Sequence, residues 1–303
     1  MDRDLLSHLP VVLAVARRRG FATAAAELGM SPSAVSHAVR LVEERLGVPL
    51  FARTTRSVSL TEAGAALVAS ATPALQDIGD HLERIRAAKG RVSGLLRLNV
   101  PRIALPIIMM PVVREMAKRF ADVTVEIYAD DAIADIVADG FDAGIRLGEM
   151  IAEDMITVRL TQPLRAIIVA SPAYLSDRGR PKDVADLKNH NCIGYRLIRS
   201  GALYRWDLLD EGREVAIESS GSIVVNDALY ARELALAGVG LAYQFEPLVR
   251  ADIAAGRLTE VLPKSAIEVP GLFLYYPRRA SMAPKLKAFI DTTKDVLRQS
   301  RRL

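Results

Sequence analysis

Apolar positions in the first third of the chain recur at helical spacing, in separate stripes. Leu5, Leu9, Val12, Leu13 and Ala16 form one stripe, and Val35, Val39, Val42 and Leu46 form another at steps of three and four. Between them the alanine-rich run FATAAAELG closes at Leu28. Gly29 then stands where a left-handed C-terminal residue is wanted, and Ser31-Pro32 supplies an N-cap with proline in the first turn. The spacing therefore predicts a new helix from about residue 32, with Ser33, Ser36, His37 and Arg40 on a face away from the apolar stripe. Ala24, Ala25 and Ala26 lack bulk, which allows the steep, close crossing of a helix-turn-helix. Beyond Gly47 the run VPLFARTTRSVSLT, rich in Thr, Val and Arg, reads as a two-stranded wing with Arg53, Thr54, Thr55 and Arg56 near its tip.

A further stripe follows. Thr61-Glu62 offers an N-cap with an acidic first turn, and Leu67, Ala71, Leu75, Ile78, Leu82 and Ile85 repeat in a heptad-like seam. A helix over about 62–88 is roughly 40 Å long. Such a seam wants a partner: either a second chain or the protein's own C-terminal domain. Pro73 removes a backbone donor and predicts a kink or break near residue 70. The segment AAKGRVSG, residues 87–94, reads as a joint.

From residue 94 the pattern changes to strands alternating with helices: LLRLNV, a helix near 106–119, VTVEIY, a helix near 131–138, then DAGIRLG. This alternation predicts an α/β domain with a mainly parallel sheet covered on both faces.

The 303 residues suit one small domain plus an α/β domain of about 200 residues. Residues 1–60 hold eight basic and five acidic side chains, a net +3 out of the whole-chain +4, so positive charge is concentrated where DNA would lie. The longest apolar run, Ile103 to Val113, is interrupted by Pro106 and Pro111 and is too short to span a membrane. The N-terminus has no basic region followed by an apolar core, and the single Cys192 fits a reducing cytoplasm, as a buried small hydrophobe rather than a redox sensor. His8, His37, His81 and His190 show no metal-ligand spacing, and no nucleophile elbow or phosphate loop is present, which argues against an enzyme, a metal site or a bound cofactor. Gly238-Val239-Gly240 begins like a dinucleotide fingerprint but lacks the third glycine, so close backbone packing explains it better. Arg17, Arg18 and Arg19 read either as a DNA-flanking patch or as a solvated helix end.

SPSAVSHAVRLVEERLGVPLFARTTRSVSLTEAG resembles, in order, the recognition helix, wing and start of linker helix of LysR-type transcriptional regulators, and the resemblance extends over essentially the whole chain. It implies a winged helix-turn-helix at 1–61, a dimerisation helix at 62–91 and a two-lobed, periplasmic-binding-protein-like effector domain at 92–303. One lobe is expected at about 92–162 plus 268–303 and the other at about 163–267. By position, the resemblance places Ser33, Ser36, His37 and Arg40 in the major groove and Arg53, Thr54 and Arg56 on the DNA backbone. His37 stands where many members carry Arg, and Gly20 and Ala22 stand where a hydroxyl commonly caps. The partners implied are double-stranded DNA with an interrupted dyad, a small-molecule effector, a second chain or three more, and RNA polymerase; the setting implied is cytoplasmic. Within the cleft, loops at the carboxyl ends of strands meet helix N-termini that attract anions. Arg102, Arg146 and Asn226, the last as cap of the helix ALYARELALAG, are thus expected to contact an organic or aromatic acid, with Ile103 beside Arg102 where a hydroxyl is often found. Tyr195, Tyr204, Trp206 and Tyr243 are candidate aromatic walls. The competing reading pairs both arginines with acids inside their lobe and packs the aromatics away.

Overall fold

The computed structural model describes residues 3–53, 58–87, 91–132, 135–137, 139–148, 151, 155–278 and 283–300. Three helices, α1 (Arg3–Arg18), α2 (Phe21–Leu28) and α3 (Pro32–Leu46), pack on one another around Val12, Val15, Ala24, Ala25, Val35, Val39 and Val42. The expected stripes are rotated at their margins. On α1, Val11, Ala14 and Val15 are buried while Leu13 and Ala16 are only partly so, because α1 is covered by α2 and α3 at once. Ala26 and Leu46 face solvent. The wing is a hairpin of β1 (Phe51–Arg53) and β2 (Val58–Leu60), with Phe51 opposite Leu60.

The linker helix α4 (Glu62–Ala87) begins where the sequence places it: Thr61 Oγ1 accepts the Gly64 N–H at 3.0 Å. It runs without interruption through Pro73, contrary to the expected break. One missing N–H in a helix of 26 residues is outweighed by packing against α1 on one side and the C-terminal helix α9 (Pro284–Ser300) on the other.

The effector domain holds two principal sheets. In the first, β3 (Gly94–Val100) lies parallel to β4 (Val123–Ala129) and β5 (Ala143–Leu147), while β15 (Leu272–Pro277) runs antiparallel between β5 and β6 (Met155–Arg159). Its core, including Leu96, Leu98, Met116 and Phe289, is closed by α5 (Met110–Arg119) and α9. In the second, β7 (Leu164–Ala170) is flanked antiparallel by β12 (Ala242–Phe245), β13 (Thr259–Val261) and β14 (Ile267–Val269). One mixed and one antiparallel sheet thus replace the expected mainly parallel one; the first is mixed because the chain returns from the second lobe as a strand inserted between β5 and β6. The expected boundary at 268 moves as well: Glu268 and Val269 still pair with β7. The two crossings touch, with Leu160 N donating to Leu272 O at 2.9 Å. Gly271 is required there, since its φ is +88° and a Cβ would lie 2.4 Å from Gln162 O. The helix expected near 131–138 is absent among the described residues, which form bends and turns.

Candidate DNA-reading face and effector cleft

Ser31 caps α3 by accepting the Ala34 N–H at 3.2 Å, and Gly29 and Gly47 close α2 and α3 in the left-handed region at φ +63° and +71°. This geometry buries Val35, Ala38, Val39 and Val42 and leaves Ser33, His37 and Arg40 exposed and Ser36 half-buried. α3 therefore presents a polar ridge with small hydroxyls at its N-terminal end, the end a recognition helix points at base edges. The side chains are partly pre-engaged. Ser33 Oγ is 2.9 Å from Ser31 Oγ, Arg40 Nη2 is 3.4 Å from His37 Nδ1, and Arg40 Nε is 3.4 Å from Glu44 Oε1. Exposed pairs of this kind are worth at most about 1 kcal/mol and yield to a phosphate or a base. Gly20 precedes α2 without a side-chain cap; Thr23 Oγ1 donates to its carbonyl at 3.0 Å instead.

Glu43, which the pattern did not single out, fastens the wing to α3. Its Oε1 accepts the N–H groups of Leu50 at 2.8 Å and Phe51 at 3.2 Å. Phe51 in turn meets Phe21 edge-on, with ring centroids 5.9 Å apart. The Arg53 side chain and the whole of Thr54 and Arg56 lie outside the described residues. Arg17 and Arg18 both pair with Glu27, Arg18 Nε at 2.5 Å, so neither is simply a solvated helix end.

The linker seam divides in two. Leu67 packs against the N-terminal core and Ala71 is buried, whereas Ile78, Leu82 and Ile85 are 56%, 50% and 65% exposed.

Between the lobes, Arg102 pairs with acids, but not only inside its own lobe. Nη1 lies 3.2 Å from Asp131 Oδ2 in lobe I, and Nε lies 3.6 Å from Asp227 Oδ2 in lobe II. Burial pulls this guanidinium's pKa down, but the two carboxylates outweigh it and the net shift is upward. Tyr195 OH adds a second tie across the cleft, donating to Asp131 Oδ2 at 3.4 Å; burial first, then Asp131, pushes that phenol up. Asn226 is exposed and does not cap. Asp227 does, its Oδ1 accepting from Leu229 N at 2.8 Å and Tyr230 N at 3.0 Å at the start of α7 (Ala228–Leu236). A carboxylate directly before the first turn outcompetes an amide one residue further out. Asp131 and Asp227 are thus cleft residues that the sequence reading missed, although the Asp130-Asp131 doublet after a strand and the ND pair before a helix were visible in it.

Arg146 is 2% exposed on β5. Nη1 donates to Ile145 O at 2.7 Å, Nη2 donates to Ala132 O at 2.6 Å and to Asn99 Oδ1, and burial pulls its pKa down. Among the described residues its Nε and the Nδ2 of fully buried Asn99 have no acceptor. Two buried donors with no acceptor among the described residues, on or beside a cation with no ion pair to a carboxylate among them, suit a small anion.

The remaining cleft candidates pack elsewhere. Ile103 belongs to the first lobe's core. Trp206 is buried and stacked on Tyr243 at 5.6 Å, Tyr243 OH donates to Asp207 O at 2.8 Å, and Tyr204 OH donates to Asp207 Oδ2 at 2.6 Å. These three aromatics close the core of the second lobe around β9 (Trp206–Asp210) rather than walling a ligand. Burial first, then Asp207, raises Tyr243. Cys192 is buried, its thiol pushed up to about 11 by desolvation, which keeps it an unreactive thiol. A Cβ on Gly240 would lie 2.0 Å from Asn191 O, so the Gly238–Gly240 run serves backbone packing.

Comparison with known proteins agrees with this layout. Residues 6–65 match the family model described as bacterial regulatory helix-turn-helix protein, lysR family, and residues 89–298 match the LysR substrate binding domain. The chain is 37% identical over 289 residues to the uncharacterized HTH-type transcriptional regulator YcaN of Escherichia coli (strain K12), covering 95% of this chain and 94% of that protein. It is 37% identical over 294 residues to the HTH-type transcriptional regulator PgrR of the same organism, covering 97% and 98%. Among solved structures, CrgA, a LysR-type transcriptional regulator from Neisseria meningitidis, superposes with a TM-score of 0.62 at 26% identity over 98% of this chain and 99% of that one. The full-length Vibrio cholerae virulence activator AphB shares the fold, with a TM-score of 0.67 at 21% identity over 96% and 98%.

Proposed function

Because the chain belongs to the LysR family of transcriptional regulators, we propose that it is a ligand-responsive regulator that binds an interrupted dyad in duplex DNA as a dimer or dimer of dimers and catalyses no reaction. The observation that carries this reading is α3, whose apolar side is sealed into the N-terminal core while Ser33, Ser36, His37 and Arg40 line the other side. Arg53, Thr54 and Arg56 extend the footprint onto phosphates, as their place in the wing suggests. The open stretch of the linker seam, Ile78, Leu82 and Ile85, is the pairing surface, which sets two reading heads about 34 Å apart. RNA polymerase is the further partner of a regulator working in the cytoplasm.

The effector we assign is a small organic acid whose carboxylate takes the open Nε of Arg146 and Nδ2 of Asn99. Arg102 is then less an anion anchor than a tie between lobes, since an acid at that point must displace Asp131 and Asp227. Binding that alters this tie changes the relation of the lobes and, through it, the spacing of the DNA-binding pairs.

The test is a gel shift on the DNA upstream of the protein's own coding region against random duplex. Ser36→Ala or His37→Ala is expected to weaken binding to the operator by about 1–3 kcal/mol and to leave random DNA nearly unaffected. Equal losses on both, or no complex in dilute salt with either, refute the reading.

A further inference from the structure

Three segments remote in sequence meet at the turn that carries Gly140. They are the end of α1, the middle of α4 and the strand β3, so the DNA-binding domain, the linker and the effector domain all reach this point. Apart from its chain neighbours, a Cβ built on Gly140 would have as its nearest atoms Arg97 Nη1 at 3.4 Å, Arg17 Nη1 at 3.7 Å and Gln76 Nε2 at 3.9 Å. All three are N–H donors. The backbone at Gly140 has φ +71°, which accounts for a glycine there but not for the gathering of donors in front of it.

Bonds made elsewhere hold these donors in place. Arg97 Nε and Nη2 lie 3.2 Å and 3.1 Å from Glu126 Oε1, its Nη1 donates to Gly140 O at 3.1 Å, and its guanidinium stands 5.1 Å from the ring centroid of Phe141. Arg17 is pinned through Nη2 by Glu27, which leaves Nη1 and the buried Nε without an acceptor among the described residues. The Gln76 amide has no hydrogen bond among them either. Acids stand near as well. Glu27 serves Arg17 and Arg18, Glu126 serves Arg97, Asp139 and Arg19 are exposed, Asp142 and Glu83 meet Lys285, and Asp77, Asp80 and Arg84 follow Gln76 on α4. In so mixed a field a halide drawn by net charge alone gains little. An anion with several oxygens can instead take the donors one by one, two of them through charge-assisted hydrogen bonds.

We propose that the space in front of Gly140 is a site for a phosphoryl oxyanion, either inorganic phosphate or the phosphate of a small monoester, which bridges α1, α4 and β3. The ends of the Arg17 and Arg97 guanidiniums approach the same point and repel each other when nothing lies between them; an oxyanion there turns the repulsion into two contacts. Gln76 supplies a third contact from the linker. The bound ion thereby fastens the DNA-binding domain to its own effector domain. Because the donors are already oriented by Glu126 and Glu27, little ordering opposes binding. The site lies apart from the free side of α3 and from the cleft at Arg146, so it is a third place where this chain meets a ligand.

The experiment uses the full chain without DNA. Sodium phosphate and glycerol 2-phosphate are each titrated in by calorimetry, with sodium chloride holding the ionic strength constant so that screening does not change. Saturable binding is expected in the unaltered protein; Arg17→Ala is expected to weaken it by about 10- to 100-fold and Gln76→Leu by about 3- to 10-fold. Binding of phosphate alone identifies the free ion as the ligand, and binding of the ester shows that a substituent is accepted; either supports the site when both variants weaken it. No saturable binding overturns the site. So does binding that both variants leave unchanged, because the ion then sits elsewhere, such as on the DNA-reading face. At ten times the measured dissociation constant, amides in the last turn of α1 are expected to exchange about tenfold more slowly, and unchanged exchange overturns the bridging. Should Arg17→Ala not fold, proton–nitrogen NMR of the unaltered chain decides: phosphate-dependent shifts of the Gly140 amide and the Gln76 side-chain amide support the site, and stationary peaks overturn it. Neither DNA nor effector enters any arm, so failure here leaves the regulator reading standing.

Discussion

Replacing Arg146 with methionine separates a functional guanidinium from a structural one. The change removes donors to Ile145 O, Ala132 O and Asn99 Oδ1, each a charge-assisted hydrogen bond worth about 1.5–3 kcal/mol. It also removes a buried cation with no ion pair to a carboxylate among the described residues, whose desolvation costs several kcal/mol. The two contributions have opposite sign and similar size, so Arg146→Met is expected to change stability by no more than about 2 kcal/mol. Ligand capture depends on the group itself and is expected to vanish. Urea denaturation of the full chain at pH 7 measures the first quantity. Thermal shift with a panel of small aromatic and aliphatic carboxylates, each beside its amide, measures the second. A loss above about 4 kcal/mol would make the guanidinium a structural strut. An unaltered carboxylate response in a well-folded variant would clear Arg146 of effector binding.

Two other outcomes check the assembly. Leu82→Lys places a charge on a side chain that is 50% exposed in the single chain, so folding should persist while the linker pairing dissociates, visible as a drop in mass by light scattering. Gly64→Ala drives a Cβ to within 2.0 Å of Leu50 O, at the junction of wing and linker, and is expected to cost about 2–3 kcal/mol and to weaken DNA binding by shifting the wing. An Ala variant with unchanged melting temperature and operator affinity would show that the junction relaxes freely.

Local chemistry made the N-terminal domain legible. The cap at Ser31, the glycines at 29 and 47, and a stripe of period 3.6 fix α3 to within a residue, because each acts over a single helical turn. Thr61 marks the linker's start for the same reason. Where Pro73 suggested a break, contacts from α1 and α9, distant in sequence, kept the helix whole.

The cleft was only half legible. Arg102, Arg146 and Tyr195 could be picked as chemistry-bearing residues, but their partners could not. Arg102 meets Asp131 and Asp227, and Arg146 meets Asn99, across 29, 125 and 47 positions of chain, the last two pairs lying on different lobes and different strands respectively. Trp206, Tyr204 and Tyr243 look alike in sequence whether they wall a ligand or close a core, and only stacking around β9 assigns them to the core. By itself the sequence determined where α2 ends, where α3 begins and ends and where α4 begins, which side of α3 stays free and where positive charge gathers, since these depend on neighbours three or four residues apart. The tertiary structure alone decided which polar groups meet, from the tie across the cleft to the acceptors around Arg146, because a side chain's electrostatic partner is set by the packing of remote segments in a medium where burial, rather than sequence distance, governs the strength of the interaction.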